Sequence, residues 1–136
     1  MSLVYPVLAQ VLLTLILGVA LGIRRTRAVV SRRVRMKDIA LSADGYPEGI
    51  RKHGNNLRNQ FETPVLFYVL CGLAIYLGAA GTLMAALAWA YVASRVVHCA
   101  IHVTYNRVDH RFFAFLAGVI VLALMWLILA VQLLAA

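Results

Sequence analysis

From Thr63 to Ser94 the chain carries no charged side chain. Wound into a single helix, that run would be about 48 Å long at 1.5 Å per residue. A bilayer core about 30 Å thick needs only about 20 helical residues. The run is therefore too long for one span. Gly78-Ala79-Ala80-Gly81-Thr82 supplies a break near its middle, because glycine adopts backbone angles that end a helix. The expectation is two membrane spans, roughly Asn59–Leu77 and Thr82–Thr104, joined by a tight turn.

The rest of the chain agrees. Leu3 to Ile23 is uncharged and long enough to span. Pro6 lies near its start, where proline is tolerated, and Gly18 with Gly22 forms a small-xxx-small pair suited to close helix packing. A last span runs from Phe112 to Ala135, with Gln132 its only strongly polar side chain. The sequence is 63% hydrophobic and 13% charged, against about 45–50% and about 25% in an ordinary soluble domain. The expected fold is all-α: an integral membrane four-helix bundle in one domain over residues 1–136. The N-terminus has no basic region ahead of its first apolar run, so that run is expected to stay as an anchor.

A net charge of +8 would suit a nucleic-acid binder, but its distribution argues against one. Ten of the thirteen basic residues fall between Arg24 and Arg58, with no nucleic-acid motif around them. A basic loop beside apolar spans reports topology, with anionic lipid headgroups as its neighbours. The second loop is uncharged, and the third holds Arg107 and Arg111. The first and third loops are expected to be cytoplasmic, with both termini opposite. Ser42, Asp44, Gly45, Pro47 and Gly49 mark turns within the first loop, and the first helix can project into it. Cys71 and Cys99 sit in apolar runs without metal or redox spacing and read as small buried hydrophobes.

Polar residues inside the spans carry the chemistry. Measured from the central turn, Glu62 lies about 23 Å along one helix and Arg95 about 20 Å along the next. An isolated charge at the bilayer centre costs roughly 2.5–3.5 kcal/mol. Two opposite charges at matched depth are therefore expected to face the interior and each other. Tyr91, Arg95, His98, His102 and Asn106 are spaced four, three, four and four, which places them on one helical face. Arg51, Asn55, Asn59 and Glu62 would share a second face if the preceding helix begins early. Together the two faces would make a basic, water-accessible pocket for an anionic ligand. The alternative is that these groups simply hold helices together. His98 and His102 have a spacing that could bind metal, but no further close ligand accompanies them. No nucleophilic triad is apparent.

The segment Arg58-Asn59-Gln60-Phe61-Glu62-Thr63-Pro64 resembles the second-helix signature of the MAPEG family, membrane-associated proteins in eicosanoid and glutathione metabolism. Arg24-Arg25 after the first span, Arg95 through His102, and Arg111 at the start of the fourth helix are also similar, in the same order along nearly the whole chain. The resemblance implies a homotrimer holding glutathione between subunits near the cytoplasmic side. By position, Asn59 and Glu62 would bind the glutathione backbone. Arg24, Arg58 and Arg95 would supply charge in or beside the pocket, lined also by His98 and His102. Arg111 matches an arginine that activates the thiol in some members, since a guanidinium favours the nucleophilic thiolate.

The sequence also departs from the family pattern. Asn55 stands where a glutathione-binding arginine is expected, His98 and His102 replace tyrosines, and Pro64 follows Glu62 by two residues rather than three. The leading expectation is a glutathione-dependent membrane transferase or peroxidase, with glutathione as co-substrate and a lipophilic electrophile as partner. The alternative is a non-catalytic membrane module that binds lipid or ligand, or an accessory subunit of a membrane complex. Eleven arginines against two lysines suggest a GC-rich genome and a bacterial inner membrane.

Overall fold

The computed structural model describes residues 2–136. Its α-helices are α1 (Val4–Val30), α2 (Glu48–Asn59), α3 (Thr63–Tyr76), α4 (Thr82–Val103) and α5 (Val108–Leu134). No strand occurs among the described residues. Helices α1, α3, α4 and α5 form the membrane bundle. The basic helix α2 continues the line of the chain before α3. Three of these helices, α1, α4 and α5, are long and apolar enough to cross a membrane unaided.

The second span differs from the expected continuous helix over 59–77. The helix stops at Asn59 and restarts at Thr63. Pro64 is the cause. It has no N–H to give to the carbonyl of residue 60, and its ring crowds that carbonyl in a continuous helix. Glu62, at the restart, takes a non-helical conformation with φ −100° and ψ −106°. The fourteen residues of α3 rise only about 21 Å at 1.5 Å each. The turn at 77–81 is as expected. Gly78 sits at φ 68°, and Ala79 N–H donates to the Ala74 carbonyl at 2.8 Å, which closes the end of α3.

Helix α4 is the centre of the bundle. In its most apolar window 44% of residues are buried, against 17% in α1 and 22% in α5. That enclosure lets α4 carry a polar stripe without presenting it to lipid. Ala85 and Ala88 are fully buried beside Phe67, Ala74 and Met125, since small side chains let helices approach closely. Phe67 stacks on Tyr91 with ring centroids 4.6 Å apart. Gly118 of α5 allows the same close approach opposite Ser94, where a Cβ would lie 2.9 Å from the hydroxyl oxygen. The outward faces are aliphatic, as in Leu8, Leu12, Leu15 and Val19 of α1, and they meet lipid.

Helix α1 projects seven residues past Ile23 into the basic segment, as expected, so Arg24, Arg25 and Arg27 are helical. A second apolar cluster of Leu21, Ala28, Val34 and Ile50 holds α2 against this extension. Short 3-10 turns at Met36–Asp38 and Ala43–Gly45 fold the basic segment back. The Arg25 guanidinium lies 5.0 Å from the centroid of the Tyr46 ring, a cation–π contact.

Candidate functional site

A cavity of about 510 Å³ opens where α2, α4 and α5 meet at the end of the bundle that carries the basic segment. Its size lies within the roughly 300–1,000 Å³ usual for small-molecule sites. Arg58, Asn59 and Glu62 reach it from the end of α2 and the break after it. His98 and His102 line it from α4, and Arg111 from the first turn of α5. Phe112 and Phe115 supply an apolar wall. The cavity is thus cationic at Arg58 of α2 and Arg111 of α5, and apolar at the two phenylalanines of α5.

Six of the eight site residues expected from sequence therefore converge: Arg58, Asn59, Glu62, His98, His102 and Arg111. Arg95 stands behind the cavity, 1% exposed. Arg24 does not join them. It is exposed and borders a separate groove with Arg27, Ser31 and Ile50. Its neighbour Arg25 is the one that turns toward α2.

The expected Glu62–Arg95 pair is not formed. Among the described residues the ion pairs are Arg35–Asp38 and Arg107–Asp109. Glu62 is exposed at the cavity, because the break after Asn59 takes it off the α2 face that meets α4. Arg95 Nη2 donates instead to the Asn59 carbonyl at 3.4 Å. That oxygen belongs to the last residue of α2. A helix C-terminus bears partial negative charge from its free carbonyls, so a helix end takes the place of a carboxylate. Arg95 Nε and Nη1 have no partner among the described residues.

Four of the five residues expected on one face of α4 face inward; the fifth, Asn106, lies past the end of the helix at Val103, in a left-handed conformation at φ 50°. Tyr91, Arg95, His98 and His102 are each no more than 3% exposed. The rings of His98 and His102 meet edge to face at 5.7 Å. Tyr91 OH and Thr63 Oγ1 lie 3.0 Å apart, within hydrogen-bond distance, which ties α4 to the start of α3.

Sequence reasoning missed the residue that pins the break. Gln60 is 1% exposed. Its Nε2 donates to Cys99 Sγ at 3.1 Å, and its Oε1 accepts from Gln10 Nε2 at 2.9 Å. One side chain thereby joins α1, the break and α4. The available signal was Gln10, a polar amide in the middle of an uncharged span, which needs a partner inside the membrane. Cys99 accordingly accepts a hydrogen bond, whereas Cys71 packs within the apolar core.

The fold and this cavity define a class: an all-α integral membrane bundle with a cavity lined by arginines at one end. The MAPEG family profile matches residues 3–131, and the chain belongs to that family. No curated protein and no solved structure matches it.

Proposed function

We propose that the protein is a glutathione-dependent membrane transferase or peroxidase acting on lipophilic electrophiles, working as a homotrimer. The observation that carries this reading is the convergence of Arg58, Asn59, Glu62, His98, His102 and Arg111 on one cavity with a phenylalanine wall. Glutathione has two carboxylates, one ammonium and one thiol. Arg58 offers charge to a carboxylate, Glu62 to the ammonium, and Asn59 both a donor and an acceptor. Arg111 favours the thiolate over the thiol. Phe112 and Phe115 lie where an apolar co-substrate arrives from lipid.

In the transferase reaction the thiolate sulfur attacks an electrophilic carbon. A carbon–sulfur bond forms, the bond to the leaving group breaks, and the leaving group departs with its electron pair. In the peroxidase reaction two glutathiones reduce a lipid hydroperoxide to an alcohol and water, and leave as the disulfide. Arg24 lies outside the cavity within one chain, on a surface that a neighbouring subunit of a trimer can use. We place the basic segment on the cytoplasmic side, by the positive-inside rule, and the protein in a bacterial inner membrane.

The test is glutathione binding to the purified full chain in lipid nanodiscs by calorimetry, followed by conjugation to a lipophilic aryl halide. Saturable binding and thioether formation are expected. Absence of both would sink the reading.

A second reading is favoured by one observation. The bonds Gln10–Gln60–Cys99 join α1, the break and α4 through residues that do not line the cavity. In that reading the polar groups are helix glue and the protein is a non-catalytic membrane module. Binding of glutathione without turnover of any electrophile would favour it.

A further inference from the structure

We propose that Asn106 is a positioning residue that aims the undiminished positive charge of Arg111 into the cavity, while Arg107 holds the Asp109 carboxylate of the same helical turn. This rests on the proposed role of Arg111 toward a glutathione thiol.

The α4–α5 turn provides the geometry. Asn106 takes a left-handed conformation at φ 50°, which asparagine tolerates better than most non-glycine residues. Its N–H donates to the Ile101 carbonyl at 2.8 Å and closes the end of α4. Its side-chain Oδ1 accepts from Arg111 Nη1 at 2.9 Å. The same residue thus ends one helix and holds the guanidinium on the next.

The choice of a neutral acceptor matters. A carboxylate at this position would hold Arg111 equally well, but it would cancel most of the charge felt by an anion beyond it. Asp109 lies in the same first turn of α5, two positions before Arg111, a spacing that does not bring the two side chains face to face. Arg107 takes both carboxylate oxygens of Asp109, Nε to Oδ1 at 3.1 Å and Nη2 to Oδ2 at 2.7 Å. Arg111 belongs to no ion pair among the described residues. The other charged or titratable groups lining its cavity are Arg58 and Glu62 from the α2 side and His98 and His102 from α4. Glu62 shares the cavity without pairing to Arg111.

Two variants separate positioning from helix capping. Asn106→Gly keeps the left-handed turn, since glycine adopts it freely, and removes the acceptor. Asn106→Asp keeps both the turn and the acceptor and adds a negative charge. Thiolate absorbance of glutathione bound to the full-length protein is titrated with pH in each. Both variants are expected to move the titration midpoint of the thiol to higher pH, toward that of Arg111→Ala. A midpoint higher by one pH unit leaves about tenfold less thiolate at a fixed pH below it. Unchanged titrations in both would overturn the inference, because a purely capping role predicts that outcome. A second measurement needs no glutathione. The rate at which an arginine-selective dicarbonyl modifies Arg111, read by peptide mass spectrometry, is expected to rise several-fold in Asn106→Gly and to fall in Asn106→Asp. Equal rates in all three proteins would also overturn it. Absence of glutathione binding in the wild type, with the expected dicarbonyl rates, would remove the proposed function and leave the positioning role intact.

Discussion

Arg95 of α4 and Asn59 of α2 meet through the backbone. The guanidinium Nη2 donates at 3.4 Å to the carbonyl of the last residue of α2, and Glu62 N–H donates to the same oxygen at 3.4 Å. A buried cation is thus set against a helix end, while the carboxylate expected to neutralise it remains free at the cavity.

That arrangement leaves the Arg95 guanidinium only partly compensated within the chain. Its Nε and Nη1 are buried without partners, and replacing a poorly compensated buried charge by an apolar side chain is often neutral or stabilising. Arg95→Met is expected to leave the denaturant midpoint in detergent unchanged or raised, and to weaken glutathione binding. A stability loss above about 3 kcal/mol, the scale seen when a true buried pair is broken, would show that the guanidinium is well compensated. Glu62→Gln, at an exposed position, is expected to change stability by no more than about 0.5 kcal/mol.

Gln60 and Gln10 are expected to behave as a pair. Gln60→Leu strands the Gln10 amide inside the membrane, at a cost of about 1–3 kcal/mol for an unsatisfied buried polar group. Adding Gln10→Leu removes the stranded group, so the double variant is expected to be less destabilised than the two single losses summed. Reversible unfolding in mixed detergent micelles measures all four corners. Strict additivity would mean that the Gln10–Gln60 bond contributes nothing.

Pro64→Ala tests the break itself. With an N–H restored and the ring removed, the helix is free to run through residues 60–62. Continuation would carry Asn59 and Glu62 around the helix by about 100° per residue. Glutathione affinity is expected to fall by about tenfold or more, which corresponds to about 1.4 kcal/mol, with helix content by circular dichroism unchanged or slightly raised. Unaltered affinity would show that tertiary contacts such as Gln60–Cys99 hold the break without proline.

Arg111→Ala addresses the chemistry. A free thiol with a pKa of about 8.5 is only a few per cent thiolate at neutral pH. Lowering that pKa by two needs about 2.7 kcal/mol of differential stabilisation. The thiolate absorbance of bound glutathione at pH 7 is expected to be strong in the wild type and largely lost in the variant, with modest change in affinity. Equal absorbance in both would mean that Arg111 only anchors the start of α5 at the interface.

Topology is open to a reporter fused after Ala136. The positive cluster from Arg24 to Arg58 predicts that this terminus lies opposite the cytoplasm. A cytoplasmic signal from the fusion would reverse the orientation proposed for the cavity.

What the linear sequence determined was one-dimensional. Charge-free length and glycine placement located the turn at 77–81. Spacing alone put Tyr91, Arg95, His98 and His102 on one face of α4, and their burial follows from the cost of exposing such groups to lipid. The motif around Asn59 and Glu62, with Arg111 beyond it, identified most of the cavity before its shape was known. Tertiary structure decided which of those groups meet. Matched depth made Glu62 and Arg95 natural partners only while the second span was one continuous helix. Pro64 stops that helix, and Gln60 locks the break to Gln10 and Cys99, fifty residues before and thirty-nine after it. Glu62 is then left facing the cavity. The partner of Arg95 becomes a backbone carbonyl, a group that every residue carries and that no sequence pattern marks.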